Sequence, residues 1–146
     1  MSEAVVNAIR DFLTKMELKF SYEEEDKTFT LLYEVTSKEF VVNIFAGEKW
    51  IQVGVLLVKA EELPTNLNRE VFYARLLQDT FYINELAFGL TKNGDVVVHA
   101  ETYVDALTFE DFKIEFGSVI YGIRHFVEKI MKEFPVKTSA AERIYV

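Results

Sequence analysis

The chain of 146 residues carries 24 acidic and 16 basic side chains, a formal net charge of −8, no cysteine and 50% hydrophobic residues. This length fits one domain with its own core, because domains most often have about 100–150 residues. The apolar fraction excludes a disordered chain, and the lack of cysteine excludes a disulfide framework and thiolate metal sites. The negative charge argues against duplex nucleic acid and anionic membranes as partners, because both bind through Lys and Arg.

The first third of the chain changes from helical to strand periodicity. Apolar residues at steps of three and four predict an opening helix: Val5, Ile9, Phe12, Leu13 and Met16. Alternating apolar residues then predict a strand: Phe29, Leu31, Tyr33 and Val35. A short strand over residues 19–23 is expected before it. The acidic run Glu23–Asp26 between them lacks the alternating spacing and the glycine of a calcium loop, and we interpret it as a solvated turn.

The next two predicted strands, over residues 39–46 and 50–58, are apolar on both faces. An antiparallel sheet with one solvated face should alternate between apolar and polar residues, so something must cover the second face. That cover is either the chain's own middle helix or carboxy-terminal tail, or a second chain, as a homodimer or a client polypeptide. The candidate partner-binding residues on this face are Val41, Phe45, Trp50, Leu56 and Val58.

The second half contains two predicted helices and a hairpin. After Pro64 we expect a helix with the following buried stripe: Phe72, Tyr73, Leu76, Leu77 and Thr80. Asn93-Gly94 predicts a type I′ hairpin turn. A long helix over residues 110–133 follows; Gly117 and Gly122 inside it indicate either a close approach of another element or chance tolerance.

Pro135 ends that helix and divides the chain into a single domain, residues 1–134, and a carboxy-terminal tail, residues 135–146. The apolar tip of the tail, Ile144-Tyr145-Val146, is able to clasp a neighbouring subunit. The element order predicts an α+β fold. It would have an antiparallel sheet of five to six strands with helices packed mainly on one face, in the order α, three or four strands, α, two strands, α.

Residue patterns for catalysis are absent. The two histidines, His99 and His125, have no second histidine at i+3 or i+4, and we interpret them as ordinary surface residues. The six glycines form no phosphate-binding loop and no nucleophile elbow. We therefore predict no catalytic residue, no cofactor and no metal site, and a protein that is not an enzyme.

The long segment from Val53 to Ile130 contains these parts: Val53–Val58, the loop Glu61–Pro64, Leu76-Leu77, Asn84 before Leu86–Leu90, Asn93-Gly94-Asp95, and Leu107–Phe112. Together they give the segment a resemblance to the YbjN-type domain, which shares the fold of class I type III secretion chaperones. This resemblance implies an antiparallel sheet with packed helices, frequent dimerisation, and protein binding rather than catalysis. No catalytic residues are implied.

These observations predict a non-enzymatic protein-binding module, chaperone-like in fold and homodimeric. The amino terminus lacks the features of a secretory signal, so we expect a cytoplasmic protein. The alternative is a small-molecule-binding protein or an enzyme with a pocket between sheet and helices. The aromatic content of 14% suits either a cavity lining or a tightly packed core.

Overall fold

The computed structural model describes residues 2–144. The helices are α1 (Ser2–Lys15), α2 (Arg69–Tyr82), α3 (Phe109–His125) and α4 (Met131–Glu133), with a π-helical turn at Phe126–Ile130 and short 3-10 turns at Ala60–Glu62 and Val104–Ala106. The strands are β1 (Ser21–Glu23), β2 (Thr28–Val35), β3 (Lys38–Ala46), β4 (Trp50–Val58), β5 (Ala87–Leu90) and β6 (Val96–Tyr103). This order confirms the predicted α+β fold.

The six strands form one antiparallel sheet in the order β1-β2-β3-β4-β6-β5. Strands β1 and β5 are therefore the two edges. Helix α1 contacts β3, α3 contacts β4 and β6, and α2 lies beside the edge strand β5. The main core fills the space between the sheet and the helices. Its largest fully buried side chains include Phe29, Phe40, Phe72, Phe112 and Phe126. We call the opposite side of the sheet the second face.

The two glycines of α3 have different surroundings. A Cβ atom on Gly122 would lie 2.6 Å from Cγ2 of Val98 and 3.2 Å from Cδ2 of Leu86, whereas one on Gly117 would meet nothing within 4 Å. Close packing of α3 on β6 thus requires a glycine at position 122. Position 117 has no such requirement. Of the two explanations offered from the sequence, close approach of another element therefore applies to Gly122, and chance tolerance applies to Gly117.

The hairpin turns differ from the predicted ones. Gly94 has φ +86°, but Asn93 does not have a positive φ, and the N–H of Thr91 donates to the carbonyl of Asp95 at 2.9 Å. The loop is therefore a three-residue turn with a glycine in the left-handed region, and the type I′ prediction is wrong. The tight turn with two positive φ values is instead the one between β2 and β3, at Thr36 (φ 45°) and Ser37 (φ 67°).

A β-bulge in β4 changes the face on which Val58 lies. The register of β4 against β6 shifts between Leu56 and Val58, because Leu56 pairs with Val97 and Val58 pairs with Val96. An extra residue in one strand interrupts the alternation of side chains. Val58 is fully buried in the main core on the helical side, so its predicted position on the second face is wrong.

Candidate protein-interaction surfaces

The end of the carboxy-terminal tail lies on the second face, whereas Val136 near its start belongs to the main core. Ile144 packs in a small buried cluster with Leu56 and Val97, and Phe45 lies against that cluster. A Cβ atom on Gly54 would lie 3.2 Å from Cδ1 of Ile144, so the bare backbone of β4 gives this side chain its room. The structure thus shows one of the two predicted covers in place, over part of the face. Tyr145 and Val146 lie outside the described residues.

Three hydrogen bonds also hold the tail in place. The backbone N–H of Ser139 donates to the carbonyl of Leu57 at 3.1 Å, and Oγ of Ser139 accepts from the N–H of Lys59 at 2.7 Å. Closer to the end, the N–H of Ile144 donates to Oδ1 of the buried Asn43 at 3.0 Å. The tail is therefore fixed at both ends of the segment from Ser139 to Ile144, which we call the strap.

Ion pairs add to these contacts. The guanidinium of Arg143 donates to Asp26 at 2.5 Å, to Glu23 at 3.3 Å and to Oγ1 of Thr28 at 3.3 Å. Burial acts to raise the pKa of Asp26, but hydrogen bonds from Arg143 and Thr28 outweigh this effect and lower the pKa. The acidic turn is thus more than the solvated turn that we expected, because two of its carboxylates bind the strap. No residue pattern indicates this pairing, because the tail has no periodicity.

The remaining predicted partner-binding residues lie in different parts of the second face. Leu56 is buried under the strap, while Phe45 and Val41 are half-buried. Trp50 is 56% exposed and its ring packs edge-on against Tyr103, with centroids 5.4 Å apart. Leu32, opposite Val41 across the β2–β3 register, is 67% exposed. Uncovered apolar side chains therefore remain at two places on this face.

A groove of about 1010 Å³ runs beside the strap on the second face. Its lining includes Gly89, Val97 and His99 from β5 and β6, and Arg143 and Ile144 from the strap. Two polar residues of the lining, His99 and Gln52, share one partner: His99 contacts Glu101, and Nε2 of Gln52 donates to Glu101 at 3.2 Å. Burial acts to raise the pKa of Glu101, but the bonds to His99 and Gln52 outweigh this effect and lower the pKa. This groove does not lie between sheet and helices, where the sequence placed an alternative ligand pocket.

A second apolar surface, the α2–β5 surface, was missed by the sequence reasoning. Leu77 and Phe81, one turn apart on α2, are 69% and 80% exposed. Leu77 was predicted in the buried stripe, but only Phe72 and Leu76 of this helix are buried. Leu90 of β5 is also exposed, and a cavity of about 270 Å³ lies between α2 and β5, lined by Tyr73, Leu76, Leu77, Phe88, Gly89 and Leu90.

The histidines have structural partners. Nε2 of His125 contacts Oδ2 of Asp79 at 2.7 Å. The guanidinium of Arg75 forms ion pairs with Asp79 at 2.9 Å and with Glu133 at 2.7 Å. This network joins α2 to the end of α3 and to α4, so His125 is not the ordinary surface residue that we expected. Among residues 2–144, no group of three or more His, Asp or Glu side chains is arranged to hold a metal ion.

One buried carboxyl has a strongly altered pKa. Glu115 of α3 is 8% exposed, and burial, followed by a hydrogen bond and charge repulsion from Glu85, raises its pKa from 4.5 to about 8. Asp111 and Glu101 add smaller repulsions. Burial and the neighbouring carboxylate thus favour the protonated form of Glu115, which is the form that donates a hydrogen bond to Glu85.

Comparison with solved structures defines the class of fold. A chain of the ExsC–ExsE complex matches with a TM-score of 0.64 at 16% identity, over 88% of this chain and 95% of that chain. A chain of the HopA1–SchA chaperone–effector complex matches with a TM-score of 0.61 at 15% identity, over 84% of this chain and 91% of that chain. The Yersinia pestis type III secretion chaperone SycH was solved with a stable fragment of YscM2. That structure matches with a TM-score of 0.52 at 12% identity, over 82% of this chain and 96% of that chain.

The chain therefore has the α+β fold of type III secretion chaperones. No family model matches the sequence, and no curated protein matches it. Within the described part of the chain, no helix is both long and apolar enough to cross a membrane.

Proposed function

We propose that the protein is a cytoplasmic, non-enzymatic, chaperone-like module that acts as a homodimer and binds a client polypeptide. The observation that carries this proposal is the α2–β5 surface, where Leu77 and Phe81 are largely exposed beside an edge strand. The fold supports it, because two of the similar structures are chaperones solved together with a protein partner. The YbjN-type assignment belongs to the same proposal and depends on the motifs between residues 53 and 112.

The α2–β5 surface is proposed as the dimer interface. Large apolar side chains grouped on a soluble protein usually mark a contact with another protein. A two-fold axis beside β5 would place Leu77 and Phe81 of one copy against the same residues of the other. Within the described residues the outer edge of β5 has no strand partner, and a second copy would cover it.

The second face is proposed as the client-binding surface. Its candidate contacts are Val41, Phe45, Trp50 and Leu56 from the sequence analysis, joined by the exposed Leu32 and Tyr103. This face is separate from α2, since the helices contact the other side of the sheet. A dimer formed through α2 and β5 would therefore leave the second face of each copy available to a client.

Sedimentation velocity on purified protein tests the dimer. Wild-type protein should sediment as a dimer, and the double variant Leu77→Asp/Phe81→Asp should sediment as a monomer with an unchanged circular dichroism spectrum, because both side chains are already exposed. The matched control Ile114→Asp/Tyr121→Asp changes two residues of α3 that are 56% and 55% exposed, and it should remain dimeric. A monomeric wild type, or a variant that stays dimeric, would refute this interface.

A further inference from the structure

We propose that the strap, Ser139–Ile144, occupies the site where a client segment binds, and that this client segment is a peptide in which an arginine directly precedes an aliphatic residue. The inference rests on the client binding proposed above and adds the chemistry of the client. The strap is the one segment seen on the second face in residues 2–144, so its contacts report what that site accepts.

The apolar part of the site accepts a branched aliphatic side chain. Ile144 is 6% exposed and lies against Leu56, Val97 and Phe45, over the backbone of Gly54. A Cβ atom on Gly54 would lie 3.2 Å from Cδ1 of Ile144, so a side chain at position 54 would force Ile144 to move by a few tenths of an ångström. The sheet therefore forms a fitted depression here, which a client residue of similar size would fill.

The charged part of the site accepts a guanidinium. Glu23 and Asp26 at the β1–β2 turn bind Arg143, whose side chain is 15% exposed, and the ring of Phe45 lies 5.9 Å from its guanidinium carbon. Two carboxylates and an aromatic face suit arginine better than the compact ammonium of lysine. The net charge of −8 also favours a basic client segment.

The strap is held in a way that permits exchange. It is not a strand of the sheet, and its backbone N–H groups at Ser139 and Ile144 bond to the carbonyl of Leu57 and the side chain of Asn43. Its removal would therefore break no strand pairing. The groove of about 1010 Å³ beside it gives an incoming segment space on the same face before the strap leaves.

The test uses the full chain and a peptide with the sequence of residues 135–144. Nitrogen-15-labelled protein is titrated with unlabelled peptide, and the amide of Gly54 and the side-chain amide of Asn43 report on the site. In the variant Ile144→Asp the strap should leave the site, so the peptide should shift both resonances with saturation. Wild type and the matched control Ile114→Asp should need at least about tenfold more peptide, because a tethered strap competes at an effective concentration in the millimolar range.

Peptide specificity completes the test. A peptide with Arg143→Glu should leave both resonances in place. Absence of any shift in Ile144→Asp protein, or equal shifts in all three proteins, would overturn the proposal. If Ile144→Asp does not fold, Arg143→Glu in the full chain releases the ionic contact instead and is judged by the same resonances. Sedimentation of the same samples reports the dimer independently, so failure of the strap proposal and failure of the proposed dimer are distinguishable.

Discussion

The backbone N–H of Ile144 donates to Oδ1 of Asn43 at 3.0 Å, across 101 positions of the chain. Asn43 is fully buried in β3, and its Nδ2 donates to Oγ1 of Thr30 at 3.2 Å. A buried amide needs hydrogen bonds to both its oxygen and its nitrogen, because an unsatisfied polar group in the interior costs about 1–3 kcal/mol. The strap thus satisfies a polar residue that the sheet alone leaves half satisfied.

Replacing Asn43 with alanine should therefore free the strap. We expect Asn43→Ala to lower the free energy of unfolding by about 1–3 kcal/mol and to accelerate hydrogen exchange at the amide of Ile144. The control Thr30→Val removes the other bond of Asn43 and should leave the Ile144 amide protected. Unchanged protection of Ile144 in Asn43→Ala, measured by NMR hydrogen exchange, would contradict the account of the strap.

The two glycines of α3 should respond to alanine with opposite signs. Gly122→Ala introduces a methyl group 2.6 Å from Cγ2 of Val98 and should cost about 1–3 kcal/mol. Gly117→Ala meets nothing within 4 Å and should gain up to about 1 kcal/mol of helix propensity. Urea unfolding of both variants measures the change in the free energy of unfolding. If Gly122→Ala is stabilised, Val98 of β6 must move aside at little cost, which would contradict the close packing described above.

The β2–β3 turn should be improvable. Thr36 and Ser37 both have positive φ, a region that costs about 1–2 kcal/mol for a residue with a Cβ atom. The double variant Thr36→Asn/Ser37→Gly supplies the residues that a type I′ turn prefers and should stabilise the protein by about 1 kcal/mol. Thermal unfolding of the double variant and the wild type measures this stabilisation. Gly94→Ala, at φ +86°, should show the opposite sign, and a loss in the double variant would speak against this turn geometry.

Stability should fall as pH rises from about 4.5 to about 8 because of Glu115. Its pKa is raised from 4.5 to about 8, so in this window the folded chain keeps a proton that the unfolded chain has released. The contribution is lost at no more than about 1.4 kcal/mol per pH unit and stays constant outside the window. Urea unfolding between pH 5 and 9 should show a smaller loss for Glu115→Gln. Identical pH dependence in both proteins would mean that Glu115 ionises normally.

The strands β3 and β4 were predictable because each is a largely apolar run of a length typical of a strand. The predicted bounds of β4 equal the observed ones, Trp50–Val58, and those of β3 differ by one residue. Val58 was assigned to the wrong face because a bulge depends on the partner strand and leaves no mark in one strand's sequence. The Thr36-Ser37 turn was missed because neither residue favours positive φ.

The candidate site was predictable in its position but not in its occupant. Apolar residues on both faces of β3 and β4 predicted a covered second face, and Ile144 supplies part of that cover. The contact of Arg143 with Asp26 joins residues 117 positions apart in a segment without periodicity, so no local pattern indicates it. Leu77 was misassigned because a helix beside a sheet edge has a narrower buried stripe than one packed over a sheet. The partner contacts of Val41, Phe45, Trp50 and Leu56 stay predictions.

Native mass spectrometry of the freshly purified protein tests the central claim most directly. The proposed homodimeric protein-binding module predicts a mass of twice 16.9 kDa with no additional small molecule. A monomer that carries a stoichiometric extra mass would contradict this account and favour a ligand-binding protein. A bare monomer would contradict the proposed dimer and leave the α2–β5 surface for a different partner.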